Sequence, residues 1–291
     1  MPSFRLWHLN GAESKYTDRQ WTYSFHECDQ TTLEEQAIVA QQEEVFFSSS
    51  WTVDTFRTYG SANVSYVPLG LDEDFAPSDV RMMSKDVTHW ILAGTKFEQR
   101  KNTELIIKTW VKKYGGNAKP QLTLAVTNPF FQPQQMDALY NACFEGKGKP
   151  FNVNILPLLK TNAEMCQIYN SADICLAGLS GSEAFNIPAA TTTSLGKWAI
   201  VLNATGHKDW ATKENCILVE PTSMRSVVDN VFFAANSPFN VGNIYSVTQE
   251  RIIEAMEIAE TKAKTPNPAG QQLAKELTYA KTVDRILKKI G

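Results

Sequence analysis

Short, largely apolar runs alternate with amphipathic stretches at a spacing of roughly 30 residues, and this alternation limits what the chain can fold into. From His89 onward the runs are Trp90–Ala93, Leu122–Val126, Val153–Leu156, Asp173–Ala177, Ala199–Leu202 and Cys216–Val219. Apolar runs this short suit strands covered on both faces, as in parallel sheets whose crossover helices pack on each side. The intervening stretches read as helices. Leu105, Ile106, Trp110 and Val111 keep helical spacing before Gly115-Gly116, and Thr161 with Glu164 forms a capping box. The pattern predicts an α/β fold with a doubly wound parallel sheet. The loops after residues 93, 126, 156, 177 and 202 would then share the carboxyl edge of that sheet, where such folds hold ligands.

A smaller α/β unit precedes it. Arg5–Leu9, Tyr23–Phe25, Val45–Phe47 and Val64–Val67 read as strands. Thr31 or Thr32 caps a helix running to about Glu44, and a helix over Trp51–Tyr59 is closed by Gly60. Residues 76–87, with Pro77, read as a linker. The expected division is residues 1–80, 81–265 and 266–291. In the tail, Thr222 or Ser223 is expected to start a helix through about Ala234, and Thr248 another through about Ala263. One last helix is expected from about Gly270 to Ile290, with Leu273, Leu277, Val283, Ile286 and Leu287 as its apolar set. Packing against the N-terminal unit is the reading preferred for that helix. Arg285, Lys288 and Lys289 keep a membrane-surface reading open.

The 291 residues carry a net charge of −3, which makes no electrostatic case for a nucleic-acid partner. The five cysteines follow no metal-ligand spacing and read as free thiols of a reducing compartment. No apolar run approaches the ~20 residues of a membrane span, and no signal-peptide core opens the sequence. A cytoplasmic location is the expectation.

Two segments carry the chemistry. Gly178–Pro188 is a loop of small residues between an apolar strand and a helix, and it holds Glu183. Such a loop presents free backbone N–H groups to an anion, and a carboxylate there suits sugar hydroxyls better than phosphate. Arg100 and Lys101 follow the loop at Gly94 and are expected to open a helix, as a clamp for a diphosphate or as a solvated pair. His26-Glu27 ends a strand of the first unit, where either residue could meet an acceptor or be purely structural. His207 and Asp209 are expected in a surface loop. Dinucleotide-binding, Walker A and nucleophile-elbow patterns are absent.

Several of these segments together resemble the retaining nucleotide-sugar glycosyltransferases of the GT-B fold, the glycogen-synthase-like group. They are Val45–Phe56, Tyr66–Pro77, Ala93–Asn102, Leu156–Leu159 and, most specifically, Ser182–Pro188, which is similar to that group's Glu-Gly-Phe-Gly-Leu-Pro signature. The resemblance covers roughly residues 40–221. It implies a GT-B-like fold, two Rossmann-like domains facing a cleft, with the N-terminal one reduced. It also implies a metal-independent transferase with no resident cofactor, moving a sugar from a nucleotide-diphosphate donor, a UDP-sugar by expectation, to an acceptor hydroxyl with retention. By the resemblance Glu183 holds donor-sugar hydroxyls, and Ala184, Phe185 and Asn186 approach sugar and diphosphate. Lys101, with Arg100, stabilises the leaving diphosphate. Gly94 and Lys96 belong to the phosphate loop, Leu158 and Leu159 to the base-contacting turn. His26 or Glu27 lies where the family's first domain meets donor or acceptor.

Three departures accompany it. The family's second Glu, eight positions after the first, falls on Thr191, and its phosphate-loop Arg falls on Thr95, with Lys96 as a substitute. The first domain is short and lacks the usual Gly-rich loop, so a homo-oligomer or a partner chain could complete it. Two further readings stay open: a non-catalytic GT-B-like subunit, and a viral-type glycosyltransferase of modified DNA bases.

Overall fold

The computed structural model describes all 291 residues. The N-terminal unit comprises β1 (Ser3–Leu6), β2 (Gln20–Ser24), α1 (Leu33–Gln41), β3 (Glu44–Phe47), α2 (Ser50–Thr58) and β4 (Val64–Tyr66). Its four strands are all parallel and lie in chain order, β1-β2-β3-β4. Stepping always in one direction with right-handed crossovers puts both helices on one face. Val45 and Phe47 of β3 accordingly pack with Ile38 and Val39 of α1 and Val53 and Phe56 of α2. Phe46, between them, points to the other face with Trp21, Tyr23 and Val67. Thr32 caps α1 through a reciprocal box with Glu35.

The second unit comprises β5 (Thr88–Lys96), α3 (Thr103–Tyr114), β6 (Pro120–Thr127), α4 (Pro133–Cys143), β7 (Val153–Ile155), α5 (Asn162–Ser171), β8 (Ile174–Gly178), α6 (Ile187–Ser194), β9 (Trp198–Leu202) and β10 (Ile217–Val219). The sheet order is β10-β9-β8-β5-β6-β7, all parallel. The order reverses between β5 and β8, so their carboxyl ends form a topological switch point, the usual ligand crevice of such sheets. Leu92, Leu124, Leu176 and Ile200 sit in one large core that fills this unit. The expected doubly wound sheet is therefore present.

The tail departs from expectation in two places. Residues 222–234 form no helix. β11 (Ser223–Ser226) instead pairs antiparallel with β12 (Asn243–Ser246). The excursion between them turns at Asn230, Asn236 and Asn240, all in the left-handed region that asparagine tolerates better than most residues. After α7 (Gln249–Lys262), the single helix expected over 270–290 is two, α8 (Pro268–Glu276) and α9 (Tyr279–Ile290). Thr278 breaks it: its extended backbone starts a new helix, and its hydroxyl accepts the Lys281 amide at 3.2 Å.

Leu273 of α8 stays in the second unit's core, while Ile286 of α9 packs on Phe46, Trp21 and Val67 of the first sheet. The chain thus crosses between the units twice. The two crossings touch where the Leu71 amide donates to Leu277 O at 3.0 Å. Gly70 makes the approach possible, because a Cβ there would lie 2.4 Å from the Tyr279 backbone nitrogen.

Candidate active site

β5 carries a bulge between Ala93 and Thr95, with Gly94 at φ +69°. A side chain at Gly94 would be strained by that φ, and its Cβ would fall 2.2 Å from Tyr169 Oη. The strand continues to Lys96, past the expected end at Ala93, and α3 begins only at Thr103. Arg100 and Lys101 therefore sit in the preceding loop and not in the helix. Asn102 takes a left-handed conformation (φ 54°) and spends its side chain on Leu179 O at 2.8 Å.

That contact begins a seam with the Gly178–Pro188 loop. Arg100 O accepts the Gly181 amide at 2.7 Å and the Ser180 hydroxyl at 3.3 Å. Gly181 is also packed too closely for a side chain, 2.5 Å from Tyr245 O to its ideal Cβ. The two loops form one rigid ledge across the switch point.

Five charges converge on it, two cations and three carboxylates. Lys101 Nζ donates to Glu183 Oε1. The Arg100 guanidinium meets Glu183 at 3.3 Å, Glu98 at 3.0 Å and Glu27 of the first unit at 3.5 Å, and donates to Ser182 O at 2.6 Å. Burial drives the Glu183 carboxyl upward, but Lys101 and Arg100 outweigh it and hold the acid at about 2. Burial likewise opposes the Arg100 charge, and Glu27, Glu183 and Glu98 override it, so the guanidinium stays fully charged. Such a buried cluster is stable only while every member keeps its partners.

The far side of the loop rests on residues 205–209, a short 3-10 turn. Thr205 Oγ1 accepts the Glu183 amide at 3.1 Å, and Glu183 O accepts the Gly206 amide at 3.0 Å. His207 is completely buried, contrary to the expectation of a surface loop. Its Nδ1 donates to Leu202 O at 2.9 Å, which leaves Nε2 to accept from Asn186 Nδ2 at 2.9 Å. Burial pushes its pKa down to about 4, so the ring is neutral at pH 7. Asn186 caps α6 in a left-handed conformation (φ 69°) and accepts the Ala189 amide with its side chain. Asp209 crosses to the first unit and accepts both Ser50 N (2.8 Å) and Ser50 Oγ (2.5 Å) at the start of α2. The signal for these residues was only their position, one more loop at the same sheet edge.

Two cavities meet at Gly94 and Thr95. The smaller, about 170 Å³, lies between the units. Phe25, Glu27 and Leu69 line it from one side, and Lys101, Glu183, Phe185 and Asn186 from the other. The larger, about 620 Å³, opens over the ends of β5, β6 and β7, with Lys96, Asn128, Leu158 and Leu159 on its walls. Lys101, Glu183, Glu27, Gly94, Ala184, Phe185 and Asn186 thus share one cavity, and Gly94, Lys96, Leu158 and Leu159 the other.

Three expected site residues line neither cavity. His26 is buried inside the first unit, 2.9 Å from Gln30 O, 3.6 Å from Glu35 and against the Phe56 ring, so it does not face the cleft. Arg100 is 6% exposed and lines neither cavity, because three carboxylates draw its guanidinium inward. Thr191 is buried in α6 and also lines neither.

No family model matches the sequence, and no curated protein matches it significantly. Solved structures do match the fold. Sucrose-phosphate synthase from Thermosynechococcus elongatus superposes with a TM-score of 0.73 at 15% identity, over 99% of this chain and 73% of that one. An alpha,alpha-trehalose-phosphate synthase (UDP-forming) from Burkholderia xenovorans gives 0.68 at 9% identity, over 99% and 73%. Anabaena HepE, solved in complex with UDP and glucose, gives 0.66 at 13% identity, over 94% and 71%. The chain therefore has the GT-B fold and spans 71–73% of the length of these three structures.

Proposed function

We propose that the chain is a nucleotide-sugar glycosyltransferase whose donor spans the two cavities. The Lys101–Glu183 pair carries this reading: a cation and a hydroxyl-binding carboxylate lie side by side on the wall of the small cavity, which also includes Gly94 and Thr95 of the larger one. The small cavity, below the ~300–1,000 Å³ of drug-sized pockets, suits a single sugar ring. The larger one suits a nucleoside, with the diphosphate crossing at Gly94, Thr95 and the start of α6. The complex of HepE with UDP and glucose supports a UDP-sugar as the first donor to test.

In this reading residues 81–265 form the donor domain, residues 1–80 the acceptor-side domain, and residues 266–291 tie the two together. Glu183 accepts hydrogen bonds from sugar hydroxyls. Lys101 exchanges part of its contact with Glu183 for the donor phosphates and stabilises the charge that develops as the anomeric C–O bond breaks. Lys96 serves as a second cation on the nucleoside side. Glu27 is the carboxylate available to orient the incoming acceptor hydroxyl, whose oxygen bonds the anomeric carbon on the face the diphosphate leaves while its proton passes to the departing phosphate oxygen. Retention of configuration and independence from metal ions belong to this proposal.

Titration calorimetry with UDP-, GDP- and ADP-sugars tests it. One donor class should bind, and Lys101→Ala should weaken it about tenfold or more, as expected for losing a charge-assisted contact. Absence of binding by every donor would sink the reading.

A further inference from the structure

One face of the first sheet is covered by a single helix. Because β1 to β4 run in order, α1 and α2 share the opposite face, and α9 alone packs on Trp21, Tyr23, Phe46 and Val67. The β1–β2 connection, residues 7–19, contains no helix that could cover the rest. Phe4 stacks on Phe46 on this face, and Leu6 is in register with Tyr23, yet they remain 46% and 61% exposed.

α9 is itself two-sided. Thr282 donates to Pro68 O at 2.8 Å, and Lys289 reaches Ser65 and Glu44, so this flank lies toward the β4 edge. Val283 and Leu287 therefore lie toward β1, and they stay 50% and 57% exposed. The outer surface of the helix carries Lys281, Arg285 and Lys288 at spacings of four and three residues, with the exposed Asp284 as the helix's one acid. All three are exposed and form no ion pair within the chain. Residues 275–291 hold five Lys or Arg and two Asp or Glu, a net +3, while the rest of the chain holds −6.

We propose that this face, Phe4, Leu6, Val283 and Leu287 beside the Lys281–Arg285–Lys288 stripe, docks the protein on an anionic membrane surface. The charge polarity selects that partner: a cationic stripe along a half-bare apolar flank on an otherwise acidic molecule matches the interface of a negatively charged bilayer. No helix is long and apolar enough to cross a membrane, so the contact is interfacial. The proposal does not depend on the sugar-transfer reading.

Vesicle flotation of the whole chain tests it, using phosphatidylcholine alone and phosphatidylcholine mixed with phosphatidylglycerol. Binding is expected only to the anionic vesicles, and it should fall as salt rises. Lys281→Gln with Lys288→Gln should weaken it about thirtyfold, and Leu287→Gln about tenfold. Both changes are at exposed positions, so unchanged thermal melting is the control for folding. No flotation with anionic vesicles at low salt overturns the proposal, as does equal flotation of the variants. Sedimentation without lipid that shows a dimer dissolved by Leu287→Gln also overturns it, by assigning the face to a second copy.

Discussion

Arg100 is the residue on which the arrangement of the cleft depends. It holds Glu98, Glu183 and Glu27 together, and the first two have almost no access to water. Arg100→Met keeps the volume of the stem but strands those carboxylates. It is expected to lower unfolding stability by about 3–5 kcal/mol, read by denaturant or thermal unfolding; a loss below about 1 kcal/mol would show that the cluster is solvated. His207 gives a pH signature. The folded ring takes a proton only near pH 4, while the unfolded chain does so near 6.5. Between those values the unfolded state binds more protons, so stability falls as pH drops through that window, by an amount on the order of 3 kcal/mol. His207→Asn should remove that part of the slope, and an unchanged slope would locate the titration elsewhere.

At the scale of elements, the end of β5 and the α8–α9 pair show what could and could not be read in advance. Trp90–Ala93 and Ile174–Ala177 announce buried parallel strands because every residue is apolar or small, and the sheet follows. The bulge at Gly94 leaves no such trace, since it depends on Tyr169 and Pro188 arriving from distant helices. Gly94→Ala should destabilise by about 1–3 kcal/mol through backbone strain alone, and adding Tyr169→Phe should recover only the part due to the collision with the hydroxyl. Full recovery in the double variant would mean that φ at this position relaxes. The β11–β12 ribbon was missed because helical spacing over 222–234 is a weak signal that the turns at Asn230, Asn236 and Asn240 override. Arg100 was legible as a functional charge but not in its direction. Glu98 two residues away and Glu27 from another unit decide where the guanidinium goes, and only the tertiary fold supplies the second.

At the scale of the whole molecule, the units are fastened by polar contacts that surround the small cavity. Ser182 Oγ donates to Glu27 O, Ser48 Oγ to Ala184 O, and Ser50 to Asp209. The excursion after β11 adds a strap, with Asn243 N on Asp29 and Asn240 N on Glu35. These contacts hold Glu27 of the first unit and Glu183 of the second on the lining of one cavity, as the proposed transfer needs. The measurement that bears most directly on this account is the release of nucleoside diphosphate from the donor that binds, compared between the native chain and Glu183→Gln. The variant is expected to melt within a few degrees of the native protein and to lose turnover by a factor of about 10² or more. A folded Glu183→Gln protein that releases nucleoside diphosphate at the native rate would contradict it.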